Sequence, residues 1–121
     1  MLIRTDATSD VPLFAQIAAS VRADAVARRL RPGDRLPSAR EVASALGINL
    51  HTVLHAYQQL RDEGLVSMHR GRGAVVTAAA DRLAELQPDI ADIVARARER
   101  GLSRQALAAL IHHTSEPEES P

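Results

Sequence analysis

The sequence predicts a mainly α-helical protein with one small β-hairpin: an N-terminal winged helix-turn-helix followed by a C-terminal two-helix segment. Three observations predict it. Among 121 residues there are 22 Ala and 14 Leu against 9 Val and 6 Ile, a balance that favours helix over sheet. Two helical patterns, over residues 38–46 and 49–63, are separated by a tight turn at Gly47, the spacing of a helix-turn-helix. Two strand-like runs around a glycine-bearing turn follow at once.

The elements follow in order. Residues 1–11 form a short arm with an extended start at Leu2-Ile3-Arg4. Pro12 sits where a first-turn proline would, with Ser9 or Asp10 as capping residues. Phe14, Ile17, Ala18, Val21 and Ala25 recur at helical spacing, and this helix is expected to reach about Leu30 before Arg31-Pro32-Gly33-Asp34 stops it. Ser38-Ala39-Arg40-Glu41 reads as a capping box, with the Ser38 hydroxyl accepting from the Glu41 amide and the Glu41 carboxylate reaching back. The helix it opens has Ala39, Val42, Ala43 and Leu46 on its inner face and ends at Gly47. Asn49 starts the next, with Val53, Ala56, Tyr57 and Leu60 inside and Gly64 at its close. Leu65–Met68 and Ala74–Thr77 are the strands, joined by His69-Arg70-Gly71-Arg72-Gly73.

Beyond Ala78, Leu83, Leu86, Ile90, Ile93 and Ala97 step by 3, 4, 3 and 4, with Val94 beside them. This is an apolar seam on a helix of about five turns. Pro88 lies inside it, which predicts either a kink or a helix that begins nearer Pro88. Gly101 ends this helix. Ser103 caps a last one with Leu107, Leu110 and Ile111 on one face. Residues 1–77 are thus expected to form the winged helix and residues 78–113 a helical dimerisation segment. The Glu-, Ser- and Pro-rich stretch 114–121 is expected to be disordered.

Composition excludes several classes. There is no cysteine, so disulfide scaffolds, thiolate metal sites and cysteine nucleophiles are ruled out. No apolar run approaches the roughly 18 residues of a membrane span, and no secretory leader is read at the N-terminus. A cytoplasmic protein is the expectation. Net charge is zero, but unevenly spread: residues 1–80 carry ten Arg against seven acids, and residues 81–121 five Arg against eight. The first part can therefore meet an anion. No phosphate-binding glycine loop, nucleophile elbow or paired carboxylates in a plausible pocket occur, so no enzyme and no cofactor are predicted.

The helix from Asn49 points to nucleic acid. Asn49, His51, Thr52, His55 and Gln59 are assigned to its outward face, with no carboxylate before Asp62. A helix entering the major groove needs donors and acceptors for base edges and must avoid negative charge near phosphates. Arg40 projects just after the cap, within reach of a phosphate or a guanine edge. Arg70 and Arg72 on the hairpin tip suit the minor groove or its flanking phosphates, with Gly71 allowing close approach.

Several motifs in order resemble the GntR family of bacterial transcription regulators: Pro12–Ile17, Pro32–Ala43, Leu46–Asn49, Thr52-Val53 with Ala56-Tyr57, and Glu63–Val66 with Arg70–Gly73. The short C-terminal part looks like the YtrA subfamily, in which two helices replace a large effector domain. The resemblance implies a homodimeric regulator, in the first instance a repressor, that binds a palindromic operator in double-stranded DNA at the nucleoid. It further implies that Arg40, Asn49, His51, Thr52, His55, Arg70, Gly71 and Arg72 meet DNA. Leu50, His51 and His55 depart from the usual pattern, which leaves the operator sequence open.

Other readings compete. Arg40 is also placed to pair with Glu41 or Asp34. His51 and His55 lie i, i+4 apart, a two-ligand metal spacing, although no third ligand is evident nearby; with His112-His113 they define a metal-responsive sensor as one alternative. A protein-binding winged-helix adaptor is another. The seam of Leu83, Leu86, Ile90, Ile93, Val94 and Ala97, with Leu107, Leu110 and Ile111, pairs across a two-fold or packs back on its own domain; the two-fold is the reading adopted. An effector would sit between subunits or between the winged helix and the C-terminal helices, since about 40 residues cannot enclose a pocket alone.

Overall fold

The computed structural model describes residues 3–115, which form five helices and one two-stranded antiparallel sheet. The elements are α1 (Leu13–Val26), α2 (Ala39–Leu46), α3 (Leu50–Asp62), β1 (Val66–His69), β2 (Gly73–Val76), α4 (Ala79–Glu99) and α5 (Arg104–His113). Contacts divide the chain into two units, one up to Glu85 and one from Leu86.

The first unit is built around α3. Its inner face, Val53, Ala56, Tyr57 and Leu60, is buried against Ile17, Ala18, Val21 and Ala25 of α1 and Val42 and Ala43 of α2. Leu65 and Val66, with Ala74 and Val76 from β2, close the same core. Apolar residues at i, i+3, i+4 and i+7 make this burial possible on α3, and alternation does so on β2.

Two helix termini depart from expectation. Helix α1 ends at Val26, not near Leu30. Arg28 takes a left-handed conformation, φ 60°, while its amide donates to the Ala25 carbonyl and the Arg29 amide to Asp24. These are the paired bonds of a Schellman termination, and they turn Leu30 back into the core. At the other end, neither Ser9 nor Asp10 caps α1. The Ser9 hydroxyl accepts from Val11 N–H, and Gln16 holds the arm, with Nε2 donating to the Asp6 and Val11 carbonyls and Oε1 accepting from Asp6 N–H.

Helix α2 is capped as expected by Ser38, whose Oγ accepts from Glu41 N–H at 3.1 Å. The reciprocal bond of a capping box is not formed, so one orphan donor is satisfied in place of two. Gly47, at φ 66°, supplies the left-handed turn to α3, a conformation that a Cβ penalises.

The hairpin pairs Val66 with Val76 and His69 with Gly73. A third stretch, read from sequence as loop, joins it. Arg35 bridges Val75, and bonds run Gly33 N–H to Val76 O, Val76 N–H to Asp34 O and Leu36 N–H to Ala74 O. The wing is thereby fastened to the segment that leads into α2.

Helix α4 begins at Ala79 and runs unbroken through Pro88, so the alternative start nearer Pro88 is not adopted. Its first turns belong to the first unit: Ala80 is part of that core and Leu83 packs against it. In the second unit, Gly101 (φ 73°) closes α4 and the Ser103 hydroxyl accepts from Ala106 N–H to cap α5. Thr114 and Ser115 follow without regular structure, and the rest of the expected disordered tail lies outside the described residues. Among the described residues, no helix is long and apolar enough to cross a membrane.

Candidate nucleic-acid interface

Exposure on α3 defines a stripe of His51, His55, Gln58 and Asp62. These residues recur at i, i+4, i+7 and i+11, one face of a 3.6-residue helix. Gln58 takes the place on this face that the sequence reading gives to Gln59, because two adjacent residues of the same type carry no difference in polarity by which to tell the outward one. Gln59 is instead half-buried, its Oε1 enclosed without a hydrogen-bond partner. Thr52 is also half-buried, on the flank of the stripe.

Asn49 precedes the helix as its N-cap: Oδ1 accepts from His51 N–H at 2.8 Å. One lone pair of its carboxamide oxygen is thus used by the fold, and the exposed side chain keeps its two amide donors for other partners. His51 is exposed. The His55 ring lies on that of Phe14 from α1, with centroids 3.9 Å apart and planes 17° from parallel. Sequence periodicity within one helix carries no trace of this contact between helices.

Charge is distributed in a pattern. Of the ten arginines in residues 1–80, Arg22, Arg28, Arg29, Arg31 and Arg61 pair with carboxylates. Arg4, Arg40, Arg70 and Arg72 form no ion pair among the described residues and are exposed. Neither Glu41 nor Asp34 engages Arg40; Asp34 Oδ2 accepts from Arg31 N–H. Arg35 also lacks a carboxylate and donates from Nε to the Arg72 carbonyl at 3.0 Å, bracing the wing tip. The hairpin turn places Arg70, Gly71 and Arg72 together at that tip, all exposed.

Two further contacts hold α3. Arg22 of α1 makes a bidentate pair with Glu63 at 2.7 and 2.6 Å. The hydrogen bonds from Arg22 hold the Glu63 carboxyl below its ordinary range, against the opposing effect of burial. Tyr57 donates from its hydroxyl to the Pro37 carbonyl at 2.6 Å. Burial, and then the charge of Glu41, push that hydroxyl well above its usual pKa; with its one hydrogen given to Pro37 and the side chain buried, it is a structural donor and not a phosphate contact.

No group of three His, Asp or Glu side chains is placed to hold a metal among the described residues. His51 and His55 share a face, but no third ligand joins them.

In the second unit, Leu86, Ile90 and Ile93 remain 54, 43 and 45% exposed, and Leu110 and Ile111 each 65%. Val94 and Leu107 are half-buried and Ala97 is buried.

Residues 13–76 match the family of bacterial regulatory proteins designated gntR. The chain is 36% identical over 76 residues to the HTH-type transcriptional repressor YtrA of Bacillus subtilis (strain 168), an alignment covering 63% of this chain and 58% of that one. It is 30% identical over 104 residues to the uncharacterized HTH-type transcriptional regulator YhcF of the same organism, covering 82% and 86%. Among solved structures, YtrA from Sulfolobus acidocaldarius, a GntR-family transcription factor, superposes with a TM-score of 0.62 at 35% identity, covering 82% of this chain and 99% of that one. The chain thus spans less than two thirds of the B. subtilis repressor but most of the other two. With the family pattern extending from α1 to the end of the wing, this chain belongs to the gntR family of bacterial regulatory proteins: a transcription regulator with a winged-helix DNA-binding domain.

Proposed function

We propose that the protein acts as a homodimer that reads a palindromic operator, each subunit laying α3 in a major groove and its wing along the adjacent backbone. The observation that carries this reading is the division of arginines. Arg22, Arg28, Arg29, Arg31 and Arg61 are paired with carboxylates, whereas Arg40, just after the cap of α2, and Arg70 and Arg72, at the wing tip, are exposed and form no ion pair among the described residues, a state they share with Arg4 of the N-terminal arm; the exposed face of α3 carries imidazoles and an amide before Asp62. Uncompensated guanidinium groups supply affinity for phosphate, and His51, Thr52, His55, Gln58 and the Asn49 amide supply the base-edge contacts. Gly71 lets the wing backbone approach the duplex closely.

Dimerisation is supported by the second unit. Leu86, Ile90, Ile93, Leu110 and Ile111 are large apolar side chains left in water, and exposed apolar side chains of this kind mark surfaces that meet a partner. A second copy, meeting the same faces across a two-fold, covers them. Val94, Ala97 and Leu107 are the less exposed apolar residues of the same unit, whereas Leu83, expected on the seam, packs on the core of the first unit. The two recognition helices then address half-sites about 34 Å apart, one turn of duplex. Repression is the favoured sign, since the B. subtilis relative is named a repressor; a protein reading operators in this way works at the nucleoid.

Binding to a duplex of random sequence across a salt series tests this mode. Log affinity is expected to fall linearly with log salt, as counterions are released from neutralised phosphates. A protein adaptor without nucleic-acid function would bind no duplex even at low salt.

A further inference from the structure

The two aromatic residues, Phe14 and Tyr57, both bear on α3. Tyr57 sits inside the core. Phe14 has a different position: it is half-buried in the first turn of α1, packed at one side on the core, and its ring covers one face of the exposed His55 imidazole. Neither ring nitrogen of His55 has a hydrogen-bond partner among the described residues.

We infer that Phe14, a residue of α1, is a positioning residue for operator recognition, its ring holding the His55 imidazole edge-on to the bases; this rests on the reading of α3 proposed above. An exposed histidine samples several rotamers and pays to be ordered when it binds. A nearly parallel ring at 3.9 Å favours one orientation of the imidazole in advance. It covers a ring face, which bears no hydrogen-bonding group. It leaves free the edge, where both nitrogens lie, one donor and one acceptor in the neutral imidazole. The stack therefore preserves the reading capacity of His55 while fixing its direction. Phe14 acts on specificity without contacting a base.

A double-mutant cycle tests this. The full-length protein is first used to select an operator from random duplexes. Affinity for that operator and for a scrambled duplex is then compared for wild type, Phe14→Leu, His55→Ala and the double variant, at a temperature where all are folded. Phe14→Leu keeps an apolar side chain but loses the flat face. It is expected to lower the operator-to-scrambled ratio roughly 5-fold, the scale of one side chain's ordering cost. In the His55→Ala background it adds almost nothing. Phe14→Tyr restores the wild-type ratio. Should Phe14→Leu fail to fold, Phe14→Met fills the space with a flexible chain and is expected to show the same loss. An equal loss in both backgrounds, an equal loss on both duplexes, or an unchanged ratio in Phe14→Leu or His55→Ala overturns the inference and leaves the operator reading intact. If the wild type selects no sequence at all, the operator reading fails and this inference with it.

Discussion

The Tyr57 hydroxyl donates to the Pro37 carbonyl at 2.6 Å. The bond joins the middle of α3 to the residue just before the cap of α2, so one hydrogen bond holds the base of the helix-turn-helix. Pro37 is followed directly by Ser38 and then by Arg40. Tyr57 thus fixes, from inside the core, where the helix bearing Arg40 begins.

Tyr57→Phe leaves the Pro37 carbonyl without this donor and is expected to cost about 1 kcal/mol of stability. The same group predicts a pH dependence. Its folded pKa lies above the ordinary value of 10.0, so the proton is bound more tightly in the folded state. Its contribution is whole below pH 10 and is lost as pH rises beyond it. As the chain has one Tyr and no Trp, phenolate absorbance reports this residue alone. Phenolate is expected to appear only together with alkaline unfolding; a reversible native titration near pH 10 would contradict the assignment.

Arg28 occupies a position that glycine holds elsewhere in the chain. The terminations of α3 and α1 share their bonds: Gly64 N–H to Arg61 O and Leu65 N–H to Leu60 O in one, Arg28 N–H to Ala25 O and Arg29 N–H to Asp24 O in the other. Arg28→Gly relieves the Cβ penalty and sacrifices only an exposed 3.4 Å contact with Asp81. A gain of roughly 0.5–1 kcal/mol in denaturant unfolding is expected, since the glycine also loses more freedom on folding. A loss of stability would mean that the Asp81 contact outweighs the backbone strain.

Arg40→Ala is expected to weaken every duplex about equally, roughly 10-fold, and to reduce the salt slope by about one. His51→Ala is expected to act differently, relaxing preference at one base pair by about 1–3 kcal/mol while sparing non-specific affinity. Binding isotherms on operator and scrambled duplexes separate the two. Equal behaviour of the two variants would remove the distinction between anchoring and reading.

Ile90→Asp with Ile93→Asp places two carboxylates on the exposed seam of α4. Sedimentation is expected to show monomers, with operator affinity sharply reduced because each half-site is then bound alone. A dimer that persists would place the interface elsewhere.

Much of this architecture was legible in the residues, for identifiable reasons. Ser38 and Gly47 bracket a short helix with signals that act locally, and Asn49 does the same for α3. Local chemistry also exposed Ser103 and Gly101. The rest required contacts between distant segments. Residues 33–36 show no alternation, so their pairing with β2 has no period to detect. Ala27-Arg28-Arg29-Leu30 favours helix at every position, yet α1 stops at Val26 with Leu30 turned into the core, a contact that local propensity does not encode. Proline suggested an interruption at Pro88, yet the helix continues, with its first turns held by Ala80 and Leu83. In the interface, the arginines could be named individually, but which of them lack partners depends on the fold. The stack of Phe14 on His55 spans 41 positions of sequence and left no local mark.

Selection of bound fragments from a random duplex pool by the purified protein tests the central claim most directly. The account predicts enrichment of one inverted repeat, with half-site centres about one helical turn apart. Recovery of unenriched sequence at low salt, or of a single unrepeated half-site, would contradict it.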